Sequence, residues 1–89
     1  MMNYTVLLHP KAAEFLKKID RINGDRIKTE LKLLRNATDH CEKLVSTPFW
    51  KIRIGDYRAI LEINHAEKKI IVLFIGHRKN VYDDSSKLL

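Results

Sequence analysis

Apolar positions recur at two different spacings along this chain, and the change of spacing divides it into a helical first part and a stranded second part. Residues 4–8 form a short apolar segment rich in β-formers and are read as a first strand. Pro10 then suits the first turn of a helix, where its missing N–H costs nothing. Ala12, Phe15, Leu16 and Ile19 follow at i, i+3, i+4 and i+7, with Lys11, Glu14, Lys17 and Lys18 on the other side, which is an amphipathic helix. Asn23-Gly24 reads as a turn. A second helix is expected from about Asp25, with Ile27, Leu31 and Leu34 as its buried stripe, so the two helices make a hairpin.

Residues 36–47 carry little pattern beyond Cys41 and an apolar pair, Leu44 and Val45, read as buried. From Phe49 the period drops to two. Trp50, Ile52 and Ile54 alternate with Lys51 and Arg53, Gly55-Asp56 makes a tight turn, and residues 57–63 form the next strand. After a polar connection, residues 69–75 are almost continuously β-branched or aliphatic, as in a strand covered on both faces and central in its sheet. Residues 80–89 fit either a short helix or a frayed end. The expected fold is α+β: an N-terminal strand, a helical hairpin packed on a mainly antiparallel sheet of about four strands, and a short C-terminal segment, all in one domain spanning 1–89.

Composition narrows the function. The 89 residues hold 17 Lys or Arg against 11 Asp or Glu, a formal charge of +6, which favours anionic partners. Residues 1–49 carry nine basic and six acidic side chains and residues 50–89 eight and five, so charge alone does not locate a site. One cysteine, Cys41, gives neither an internal disulfide nor a CxxC pair, and a reducing cytoplasm is the expected setting. Val6-Leu7-Leu8 is too short for a secretory core, and no run approaches the ~20 apolar residues of a membrane helix, so no membrane association is expected. No pair of histidines has metal-ligand spacing and no carboxylate cluster suggests Mg²⁺; no metal or other cofactor is expected.

Strand parity gathers the cations. If the faces carrying Trp50, Ile52 and Ile54, and Tyr57, Ala59, Leu61 and Ile63, lie against the helices, then Lys51, Arg53 and Arg58 project together from the other side, with Glu62 the only acid expected there. In the last strand, simple alternation puts Arg78 with Phe74 and Val72, and His77 with Ile75 and Leu73; a bulge at Gly76 would invert this. Folding alone gives no reason to collect like charges on one face. Trp50 is read as core packing and His77 as a strand-end residue.

Residues 49–61, Phe-Trp-Lys-Ile-Arg-Ile-Gly-Asp-Tyr-Arg-Ala-Ile-Leu, followed by Gly76-His77-Arg78 and Val81-Tyr82, resemble the RelE/ParE superfamily of toxins from toxin–antitoxin systems. The resemblance spans essentially the whole chain and is closer to the RelE branch. It implies a ribosome-dependent endoribonuclease that cleaves translated mRNA with a metal-free basic cluster and a tyrosine. It also implies silencing by a cognate RelB-like antitoxin, in a complex that contacts operator DNA mainly through the antitoxin. Residue by residue, Lys51, Arg58, Arg78 and Tyr82 fall on catalytic positions, and Arg53, Lys51 and Lys79 on RNA-binding ones. Arg53 stands where a RelE-type enzyme can carry Lys, and a guanidinium cannot act as a base near neutrality.

These residues suit attack by the RNA's own 2′-OH. Lys51 is the candidate base, its protonated form disfavoured by neighbouring arginines. Arg58 and Arg78 suit the phosphate oxygens through planar paired donors, Arg53 suits backbone phosphate, and Tyr82 suits either base stacking or proton transfer. Two alternatives share the fold: a ParE-like inhibitor of DNA gyrase acting by protein binding, and a degenerate toxin that binds RNA without chemistry.

Overall fold

The computed structural model describes residues 3–36, 38 and 40–77. Among these residues two helices, α1 (Pro10–Lys18) and α2 (Arg21–Leu33), accompany five strands: β1 (Thr5–Leu8), β2 (Glu42–Lys43), β3 (Trp50–Ile54), β4 (Tyr57–Asn64) and β5 (Lys69–His77). The strands form a single sheet in the order β1-β5-β4-β3-β2, in which β1 runs parallel to β5 and every other pair is antiparallel. The fold is thus α+β, as expected, with one strand more than the pattern suggested. β5 is an interior strand, but β4 occupies the middle of the sheet. Among the described residues no helix is long and apolar enough to cross a membrane.

The helical break falls earlier than Asn23-Gly24. Ile19 and Asp20 both adopt extended backbone, and the Asp20 carboxylate accepts hydrogen bonds from the backbone N–H and the side-chain amide of Asn23, each 3.0 Å long, which caps α2. Asn23 and Gly24 therefore lie in the first turn of α2, and Asp25 is inside the helix. Gly24 permits a close approach: a Cβ there would stand 3.1 Å from Cγ2 of Ile19, whose side chain would have to give way where the end of α1 meets α2. At the other end, Pro10 opens α1 and Nδ1 of His9 accepts from the N–H of Lys11, so His9 caps this helix.

The core fills the space between helices and sheet. Ala12, Leu16, Ile27, Leu31 and Leu34 meet Ile52, Ile54, Ala59, Leu61, Ile70, Val72 and Ile75, all buried. Burying each large aliphatic side chain contributes about 1.5–3 kcal/mol. Trp50 packs partly buried against this cluster, as its alternation required, and the Lys43 ammonium lies 5.4 Å from the centre of its ring. Cys41 joins the core, whereas Val45, read as buried, is 89% exposed. Tyr4, buried just ahead of β1, donates its N–H to the carbonyl of Arg35, and its hydroxyl shares a 2.6 Å hydrogen bond with Nδ1 of His65. The start of the chain is thereby tied to the end of α2 and to the β4–β5 connection.

The expected alternation along β5 fails at one point. Ile60 pairs with Phe74 but Leu61 pairs with Val72, so Leu73 is skipped and the register shifts there, not at Gly76. Val72 consequently sits with Leu61 on the helical side, while Phe74 and Gly76 sit opposite Ile60 and Arg58 on the other. A continuous apolar run hides such a shift, because no change of polarity marks it.

Candidate functional site

The tight β3–β4 hairpin sets the site. Gly55 adopts φ +60°, a left-handed conformation that favours glycine, and closes the turn with Asp56. A Cβ on Gly55 would also lie 3.1 Å from a guanidinium nitrogen of Arg26, which reaches the turn from α2. With the turn fixed, Ile54 pairs with Tyr57, Arg53 with Arg58, Ile52 with Ala59 and Lys51 with Ile60. The inward aliphatic residues hold that register, since a slip by one would turn them all to solvent.

Lys51, Arg53 and Arg58 therefore share the face away from the helices, and they line one polar hollow of about 200 Å³. Nη1 of Arg58 donates to the carbonyl oxygens of Gly55 (3.2 Å) and Tyr57 (3.0 Å), which anchors the guanidinium beside the turn. Two further residues complete the hollow, His40 and Glu42. Glu42 lies directly opposite Lys51 on β2, with a carboxylate oxygen 3.6 Å from its Nζ. The face thus holds an acid besides Glu62, and it offsets part of the repulsion among the three cations. Sequence reasoning missed both residues because β2 is only two residues long and polar. The sole signal was that Glu42 precedes Lys43 and an apolar Leu44 in an otherwise patternless stretch.

Arg78, Lys79 and Tyr82 lie outside the described residues. The ladder runs regularly from Phe74 to His77, with Gly76 opposite Arg58 and His77 opposite Tyr57. His77 has the parity of Ile75, as expected, and its ring meets Tyr57 edge-on at 5.7 Å. Among the described residues no three His, Cys, Asp or Glu side chains gather as a metal site requires.

Residues 6–82 match the sequence profile of a family described as the ParE toxin of the type II toxin–antitoxin system, parDE. The chain belongs to this family. Its place in the RelE/ParE superfamily, drawn above from the Arg-x-Gly-Asp-Tyr-Arg and Gly-His-Arg blocks, follows, and solved structures that it resembles include RelE toxins. It is similar to a chain of the RelBE2 toxin–antitoxin complex of Mycobacterium tuberculosis, with TM-score 0.77 and 21% identity over 85% of this chain and 99% of that one. The archaeal RelE–RelB complex of Pyrococcus horikoshii gives TM-score 0.74 and 25% identity, covering 86% and 97%. A mutant of the E. coli toxin RelE in the free state gives 0.77 and 19%, covering 99% of both chains. No curated protein matches.

Proposed function

We propose that this ParE-family, RelE-like toxin is an endoribonuclease that cleaves mRNA on the translating ribosome, acting in the cytoplasm as a single domain over residues 1–89. The observation that carries this reading is the convergence of Lys51, Arg53 and Arg58, from two strands, on one small polar hollow. A phosphodiester passing into it meets Arg53 and Arg58 where the phosphorane gains negative charge, and Lys51 joins them as a cation once it has taken up a proton.

The step needs no outside nucleophile. Lys51 takes the proton of the 2′-OH as its oxygen attacks the adjacent phosphorus, and the bond to the 5′-oxygen breaks, leaving a 2′,3′-cyclic phosphate and a 5′-hydroxyl. Arg58, anchored by its two carbonyl contacts, presents its remaining N–H groups to the phosphate oxygens. Arg53 holds the neighbouring backbone phosphate. His40 lines the same hollow and donates the proton that the leaving oxygen needs. Arg78 is assigned to the phosphate, Lys79 to the RNA backbone and Tyr82 to a base or to proton transfer, on the strength of the family resemblance. A cognate RelB-like antitoxin, acidic and folding on the basic face, holds the toxin silent; the ribosome and mRNA are its targets, and operator DNA is reached through the antitoxin.

The matching family's description as a ParE toxin supports a second reading, the ParE-like alternative in which the chain inhibits DNA gyrase by protein binding. Adding the purified chain to programmed ribosomes and mapping new mRNA 5′ ends, beside a gyrase supercoiling assay, separates the two. Translation-dependent cleavage that falls on the order of 10²–10³-fold in Arg58→Ala and in Arg78→Ala is expected. Gyrase inhibition without cleavage overturns the ribonuclease reading.

A further inference from the structure

A second cavity, about 570 Å³, lies between α1 and the end of β5. Its walls include Phe15, Tyr57, Phe74 and His77, with Lys11 and Lys18 at the rim. Phe15 and Tyr57 meet edge to face at 6.1 Å, and Tyr57 continues to His77 at 5.7 Å, so three rings form a stepped wall. The Lys11 ammonium stands 5.8 Å from the centre of the Phe74 ring. Glu14 is paired with Lys18 at 2.8 Å, which leaves the rim with a net positive charge.

The cavity takes residues from both sides of β5, Ile75 and His77 from one and Phe74 and Gly76 from the other. It therefore wraps the outer edge of that strand, beyond Leu8, where β1 has ended. On the far side, Gly76 is the ladder partner of Arg58. Gly76 lines the aromatic cavity and Arg58 the polar one, so a chain crossing β5 at Gly76, which itself carries no side chain, links the two.

We propose that this cavity is a second RNA subsite, in which an unstacked nucleobase close to the cleaved phosphate packs against the Phe15–Tyr57–His77 wall and Phe74, with Lys11 near its phosphate. The proposal rests on the ribonuclease reading and adds to it a site that selects sequence. Rings beside a cation are what single-stranded nucleic acid uses, with base preferences set by stacking strength, and the ladder pairing of Gly76 with Arg58, one residue from each cavity, favours RNA over an acidic peptide.

The test uses the full-length chain with Phe74→Leu, which keeps an apolar filling, and Lys11→Ala, which alters only an exposed residue. Neither touches the polar hollow. Both variants should raise KM for cleavage on programmed ribosomes about tenfold and change which nucleotides flank the cut, with kcat nearly unchanged. A short RNA carrying 4-thiouridine should cross-link to peptides from α1 or the end of β5. Cleavage by the wild type with cross-links confined to β3 and β4, or with cut-site preference unmoved in both variants, overturns the subsite alone. A wild type that neither cleaves nor cross-links overturns the ribonuclease reading itself. Protection of the cavity by an acidic peptide and not by RNA assigns it to a protein and overturns the proposal.

Discussion

Arg53 and Arg58 are direct partners across the β3–β4 ladder, two guanidinium side chains on one face with no carboxylate between them in the register. Like charges placed directly opposite each other destabilise a sheet. Replacing Arg53 with Gln should therefore raise the melting temperature slightly while lowering mRNA cleavage. Thermal unfolding and ribosome cleavage measured on the same preparation check this, and a parallel fall in both would make Arg53 a structural residue.

Glu42 faces Lys51 at 3.6 Å and is largely exposed, so the pair adds little to stability. Glu42→Gln should leave the melting point within error. It should tighten binding of a short RNA up to about fivefold at low salt, and the gain should shrink as salt screens the hollow. Fluorescence titrations at two ionic strengths read it out.

The Asp20 cap titrates. Its carboxyl is held below the ordinary 3.8 by the Asn23 backbone N–H and then by the Asn23 side-chain amide. A depressed folded-state value means that the stabilisation is present above the unfolded value and is lost as pH falls through the folded one. Asp20→Ala should lower the melting temperature at pH 7, and the gap from wild type should narrow below about pH 4. Asp20→Asn, which caps at every pH, should stay close to wild type at neutrality.

Burial pushes the Cys41 thiol up to about 11 from an ordinary 9.0. At neutral pH this leaves roughly 100-fold less thiolate than an exposed cysteine has. Iodoacetamide should label the native protein slowly and the urea-unfolded protein rapidly, as mass spectrometry can follow; fast native labelling would place Cys41 at the surface.

Leu61 is fully buried between the helices and the sheet. Leu61→Ala should cost about 2–5 kcal/mol, a large part of the 5–15 kcal/mol that holds a typical domain folded. Urea unfolding should show a much lower midpoint.

The parts of this molecule that obey a strict period were legible in the sequence. The stripe Ala12, Leu16 and the alternation Trp50, Ile52, Ile54 each admit one buried face, and that face dictates where Lys51, Arg53 and Arg58 point. What escaped were features with no period to break. Asn23-Gly24 looks like a turn in isolation, yet Asp20 offers a better cap three residues earlier, and Gly24 serves the approach of Ile19 instead. β2 is too short to alternate, so Glu42 and His40 went unplaced. The skipped Leu73 sits in an unbroken apolar run, where either face would accept it.

The parallel pairing of β1 with β5 has a consequence for biosynthesis. Thr5 waits for Lys69 before it has a sheet to join, and both helices pack on strands made after them. During translation the nascent polypeptide therefore cannot assemble its core until β5 has been made, and a protein proposed to attack ribosomes gains its shape only after residue 77 has left the ribosome.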